Sequence, residues 1–138
     1  MYEIGCKILE IRYKKEQYSR SMSDAKSIED IEVYKEALLL TREVFNLCKL
    51  VDLRKEYSLC DQVKRASISV CANISEGYGR RTRADFAQFL SISLGSCNEV
   101  LALLDIVKVN FPRVETSQLK ERYKILSKRI FSFRRNLR

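Results

Sequence analysis

Apolar residues recur along this chain in steps of three and four, the spacing of one face of an α-helix. From Ser27 onward the rhythm divides into four segments. The first opens at Ser27, with Asp30 completing a capping-box variant. Its apolar line runs Ile31, Tyr34, Leu38, Thr41, Phe45, Cys48. The second runs from about Tyr57 to Glu76. Leu59, Val63, Ala66, Val70 and Asn73 mark one line, and Ile68, Cys71 and Ile74 widen the buried sector. The third opens at Thr82 with Asp85 at the capping position. It steps through Phe86, Leu90, Ser93, Cys97, Val100, Leu104, Val107 and Phe111 without a miss. The fourth starts near Thr116 and shows Leu119, Tyr123, Leu126, Ile130, Phe133 and Leu137. Such heptad-like repeats favour near-parallel helix packing with a shallow left-handed crossing. Short links force neighbouring helices to be antiparallel. The pattern predicts an all-α fold: an antiparallel up-down-up-down four-helix bundle over residues 27–138 with an N-terminal extension, residues 1–26. No strand-like alternation competes with it.

The extension has a different texture. It holds six basic and four acidic residues. Tyr2, Cys6, Leu9 and Tyr13 allow a short amphipathic helix, and "SRSMSDAKS", residues 19–27, reads as a linker. Met22 offers an alternative start for the domain proper. Composition agrees with the helical reading. Among 138 residues there is one proline, Pro112, with four glycines and neither tryptophan nor histidine. Few loop-forming residues imply short connections. Five cysteines, at 6, 48, 60, 71 and 97, show no C-x-x-C spacing and read as reduced core residues. They suit a reducing cytoplasm. No metal site and no cofactor are expected, because the thiols lack histidine partners or paired spacing. There is no run of 18 apolar residues and no signal-peptide pattern, so the expectation is a cytoplasmic protein without a membrane partner.

The densest local signal is "RASISVCANISEGYGRRTR", residues 65–83. Its Gly-x-Gly step invites a phosphate-loop reading, but such loops follow a strand or end in Gly-Lys-Ser/Thr, and this one follows a helix. Gly77 is expected just past the second helix, as a left-handed C-cap, with Gly79 a second permissive joint in the turn. Thr82 then caps the third helix, with Asp85 in its first turn. These roles leave Arg80, Arg81 and Arg83 beside an exposed helix N-terminus, where guanidinium groups favour a phosphate. On the second helix Gln62, Arg65, Ser69, Asn73 and Glu76 form one polar stripe. Ala66, Ser69, Ala72 and Ser75 are small enough for close helix packing, including packing between subunits. Glu99, inside the apolar third helix, is the expected partner of Arg65, a pair that would set helix register.

"DQVKRASISVCANISEGYGR" followed by "DFAQFLSISLGSCNEV" resembles the bacterial four-helix-bundle proteins encoded in intervening sequences of 23S ribosomal RNA genes. The matching positions are Gln62, Arg65, Ala66, Ser69, Asn73, Ile74, Glu76 and Gly77, then Gly95, Ser96 and Glu99. "VYKEALLL", residues 33–40, looks like the family's opening helix, and the likeness covers about residues 28–134. Val70 and Ser75 stand where Ile and Ala are common. The resemblance implies a homopentamer of bundles, in which Gln62, Arg65, Ser69, Asn73, Glu76, Gly77, Gly95, Ser96 and Glu99 form a structural or subunit-packing motif. It also implies kinship with the accessory proteins of diversity-generating retroelements, which bind nucleic acid and a reverse transcriptase.

Charge gives independent support for a polyanion partner. The chain carries a net +8, yet residues 113–138 alone hold nine basic and two acidic residues, a net of +7. Residues 28–49 net −2, from three basic and five acidic residues. Such asymmetry is an electrostatic footprint. Lys120, Lys124 and Lys128 form a stripe, and Arg134, Arg135 and Arg138 close the C-terminal end. The expected partner is nucleic acid, RNA in preference to DNA, held through phosphates with little base readout, since Tyr123 and Phe133 sit at core spacing. A protein partner, such as a polymerase, is the alternative. Catalysis is not expected: histidine is absent, no carboxylate cluster has metal spacing, and no Ser or Cys has a recognisable base.

Overall fold

Four helices account for most of the chain from Lys26 to Leu137. The structure, a computed structural model, describes residues 26–137; the expectations for residues 1–25 and for Arg138 lie outside that range. Helix α1 spans Glu32–Leu47, α2 Tyr57–Tyr78, α3 Arg83–Asn110 and α4 Ser117–Asn136, and a 3-10 turn at Ile28–Asp30 precedes α1. No strand occurs among the described residues. Each helix packs on its sequence neighbours, α2 against α3 most extensively, and α1 closes the ring against α4. Side-chain bonds fix the antiparallel sense. Thr41 Oγ1 of α1 reaches the Ser67 carbonyl of α2 at 3.3 Å. Ser93 Oγ of α3 donates to the Val70 carbonyl of α2 at 2.9 Å. Arg83, opening α3, donates to the Asn136 carbonyl that ends α4 at 2.8 Å.

The ends of the helices follow local chemistry. Asp30 Oδ2 accepts from the backbone N–H groups of Lys26 (3.0 Å) and Ser27 (3.1 Å), so the expected box closes on the 3-10 turn and α1 begins at Glu32. Glu115 Oε1 accepts from the Ser117 backbone N–H at 2.7 Å, serving an orphan donor of α4. The Ser117 hydroxyl bond to the same oxygen holds the Glu115 carboxyl below its ordinary range. Leu53, 1 % exposed, anchors the α1–α2 connection, and Cys60 Sγ donates to its carbonyl at 3.3 Å.

The core runs the full length of the bundle. Leu40, Val44, Val63, Val70, Ile74, Leu90, Leu104, Tyr123, Leu126 and Ile130 are all fully buried. The expected lines on α3 and α4 are the buried ones, with Phe111 and Leu119 half-buried at their ends. Helix α3 is also long and apolar enough to cross a membrane by length and composition, the property of a helix flanked by packing partners.

Helix α1 departs from the expected phase. Its buried face is Val33, Ala37, Leu40, Val44 and Leu47. Of the line read from sequence, Ile31 and Cys48 at its ends are buried, whereas Tyr34, Leu38, Thr41 and Phe45 lie one step round, along the flank facing α2. Leu38 stays 46 % and Phe45 37 % exposed, with Lys64 Nζ 5.0 Å from the Phe45 ring centroid. Ile68, expected in the buried sector of α2, is likewise exposed. The physical reason is that α1 carries two apolar lines, and only tertiary packing selects between them.

Candidate nucleic-acid interface

The corner between α2 and α3 is built differently from a left-handed cap. Gly77 is buried inside the last turn of α2. No described residue, glycine included, has a positive φ. The reason for glycine at 77 is contact: a Cβ there would meet Phe86 Cδ2 at 2.6 Å and Phe89 Cβ at 2.8 Å. Gly79 ends the helix in an ordinary right-handed conformation, φ −75° and ψ −5°. Thr82 performs as expected, extended at φ −115° and ψ 151°, with its Oγ1 accepting from the Asp85 N–H at 3.1 Å. Phe86 then stacks edge-on against Tyr78 and Phe133, at centroid distances of 6.3 and 5.3 Å. That cluster ties the corner to the end of α4.

Two basic segments that are far apart in sequence therefore share one end of the bundle. Arg80 pairs with Glu76 at 2.7 Å and lies 4.7 Å from the Phe89 ring centroid. Arg83 holds the Asn136 carbonyl. Arg134 Nη1 donates to Ser91 Oγ on α3 at 3.0 Å, and its guanidinium lies 5.0 Å from the Phe131 ring centroid. Arg81 and Arg135 are exposed. Lys124 and Lys128 continue the basic surface along the outer face of α4. Lys120 does not join this end. It sits in the first turn of α4 and pairs with Asp105 near the far end of α3. Phe131 is the residue that the sequence reading missed. It falls beside the core line, and only its spacing of three from Arg134 hints at the contact.

The stripe on α2 lines the outer surface it shares with α3. Ser69 Oγ and Ser96 Oγ share a 2.8 Å hydrogen bond between the two helices, and Asn73 Nδ2 donates to Ser69 Oγ at 3.0 Å. Arg65 and Glu99 do not pair. Glu99 is exposed, and Arg65 lies 3.9 Å from Asp61 on its own helix. The stagger of the antiparallel pair sets Ser69 against Ser96, and both charges turn outward to solvent. Gln62 and Glu76 are exposed, and a Cβ added at Gly95 would have nothing within 4 Å.

Apart from Glu115, the groups with perturbed protonation lie in the core. Burial pushes the Cys48 and Cys97 thiols up to about 12 and raises that of Cys71. It also raises the Tyr123 hydroxyl well above its ordinary value. Cys48, Cys60, Cys71 and Cys97 are free and buried. Among the described residues no three His, Cys, Asp or Glu side chains converge as a metal-holding group.

Fold and site together define an antiparallel helical bundle that gathers arginines at one end. Residues 29–132 match the family model described as 23S rRNA-intervening sequence protein, and the chain belongs to that family. It is also similar to a solved structure, a protein with unknown function from the S23 ribosomal protein family of Bacteroides thetaiotaomicron. The two superpose with a TM-score of 0.68 at 25% identity, over 75% of this chain and 95% of that one. No curated protein matches the chain.

Proposed function

We propose that this protein is a non-catalytic, homo-oligomeric bundle of the cytoplasm that binds nucleic acid, structured RNA foremost, through its arginine-rich end. The observation that carries the reading is the meeting of Arg81, Arg83, Arg134 and Arg135 at one end of a rigid bundle, with Lys124 and Lys128 alongside. Such a surface contacts phosphates and neutralises them with release of counterions. Oligomerisation, as a pentamer by the family resemblance, repeats a weak basic face and raises avidity without new contacts. The outward Arg65 and Glu99 on the shared α2–α3 surface suit pairing between copies. Buried, free thiols fit a reducing compartment.

The test is RNA binding measured against salt, with mass by light scattering, with and without RNA. Arg81→Glu combined with Arg135→Glu is expected to weaken binding about tenfold or more and to lower the salt slope by about one for each phosphate no longer neutralised. Lys120→Glu, at the far end, should do less. Absence of RNA binding at low salt would overturn the proposal.

A second reading is a scaffold for a partner protein, such as the reverse transcriptase bound by the retroelement accessory proteins. The half-exposed apolar line Tyr34, Leu38, Phe45 and Ile68 between α1 and α2 favours it.

A further inference from the structure

Phe131 lies outside the core. The buried residues of α4 are Tyr123, Leu126, Ile130 and Phe133, with Leu137 buried just after it, whereas Phe131 is 47 % exposed on the outer face. A large apolar side chain there is spared by the core and available to a partner. Its surroundings identify the kind of partner. Helical spacing sets Lys128 one turn before it, Lys124 two turns before and Arg135 one turn after, all exposed on the same face. The Arg134 guanidinium lies over the ring at 5.0 Å, and the 3.0 Å bond to Ser91 Oγ ties that cation to α3. Ring and cation are thus held as a unit against the neighbouring helix, so little rotamer freedom remains to be lost on binding. An exposed aromatic side chain flanked by cations matches a nucleotide: the base stacks on the part of the ring that Arg134 leaves open while the phosphates meet Lys and Arg. A paired base has both faces and its edges engaged within the duplex and cannot reach such a platform; an unpaired one can.

We infer that Phe131 is a stacking platform for an unpaired base, so that the RNA segment held at this end of the bundle is single-stranded, a loop, bulge or tail. The inference rests on the nucleic-acid reading above and adds the class of ligand to it. It differs from the expectation of little base readout, which rested on Tyr123 and Phe133 sitting at core spacing.

The experiment uses the full chain and two labelled probes: an unstructured 12-nucleotide RNA and a blunt RNA duplex of the same length. Phe131→Ala is expected to weaken single-strand binding about tenfold, within the roughly 5- to 150-fold range for removing a base stack. The salt slope should hold, because every phosphate-binding cation is kept, and duplex binding should change less than about twofold. Phe131→Trp should restore single-strand affinity. The chain has no tryptophan of its own, so that variant also supplies a unique fluorophore, quenched when a base stacks on it. Helical content and melting temperature verify that both variants fold. If Phe131→Ala binds the single strand as well as the parent while Arg135→Glu does not, stacking is wrong and the phosphate reading stands. If it weakens both probes equally, the unpaired-base assignment is wrong. If neither probe binds at low salt, the nucleic-acid reading itself fails. A loss of binding confined to anionic phosphatidylserine vesicles would instead make the face a lipid contact and overturn the inference.

Discussion

Gly77 leaves no room for a methyl group. Phe86 and Phe89 close on it from the first two turns of α3, so Gly77→Ala must push the two helices apart. We expect it to cost about 1–3 kcal/mol, as overpacking does, measured by urea unfolding. Gly95 is the contrast. It lies inside a helix with open space where a Cβ would be, so Gly95→Ala should raise stability by about 0.5–1 kcal/mol in the same measurement. The glycines at the corner were legible in sequence as a place where a helix ends. Their separate roles were not, because a left-handed cap and a close helix contact call for the same residue. What decides between them is the arrival of two phenylalanines from the next helix. Arg65 and Glu99 were illegible for a related reason. Their spacing is compatible with contact, but the stagger of α2 on α3 is set by Ser69 and Ser96.

At the scale of the element, the buried lines of α3 and α4 could be read from their steps of three and four, although α3 also buries Ala87, Ser96 and Leu103 beside its line and leaves Ile92, Ile106 and Val109 exposed. Helix α1 could not. Leu38, Leu39 and Leu40 are consecutive, and two lines of similar strength pass through them. Burial separates them: Leu40 is 0 % exposed and Leu38 46 %. Leu40→Ala should therefore cost about 2–5 kcal/mol, the range of a cavity in a core. Leu38→Ala should cost about 1 kcal/mol or less. Equal losses in chemical unfolding would mean that the phase of α1 is wrong. The same phase leaves Leu38 and Phe45 exposed on the flank toward α2.

For the whole molecule, the buried thiols set an alkaline limit. A Cys side chain in the unfolded chain gives up its proton near its ordinary value of 9.0, whereas Cys48 and Cys97 in the fold hold theirs to about 12. Above pH 9 the unfolded chain therefore binds fewer protons than the native one, and stability falls as pH rises toward 12. Below pH 9 this contribution is fully present. Melting temperatures in reducing buffer should be flat in this respect from pH 7 to 9 and drop steadily at pH 10 and 11. The arginine-rich end belongs to this scale too. Sequence separates Arg81 from Arg135 widely, and nothing local joins them; the bond from Arg83 to the last turn of α4 does.

The order of the helices also bears on how the chain reaches this shape. Three of the four seams in the ring join helices linked by a short connection, and the most extensive of them, α2 on α3, turns on the tight corner at residues 79–82. Closing short loops loses little chain entropy, so folding can begin from that hairpin and should be rapid. Only the seam between α1 and α4, with its ion pair between Glu36 and Arg122, joins the two ends of the bundle. It must wait for the last helix to be synthesised, and until then the inner faces of α1 and α3 stand open to whatever the nascent chain meets.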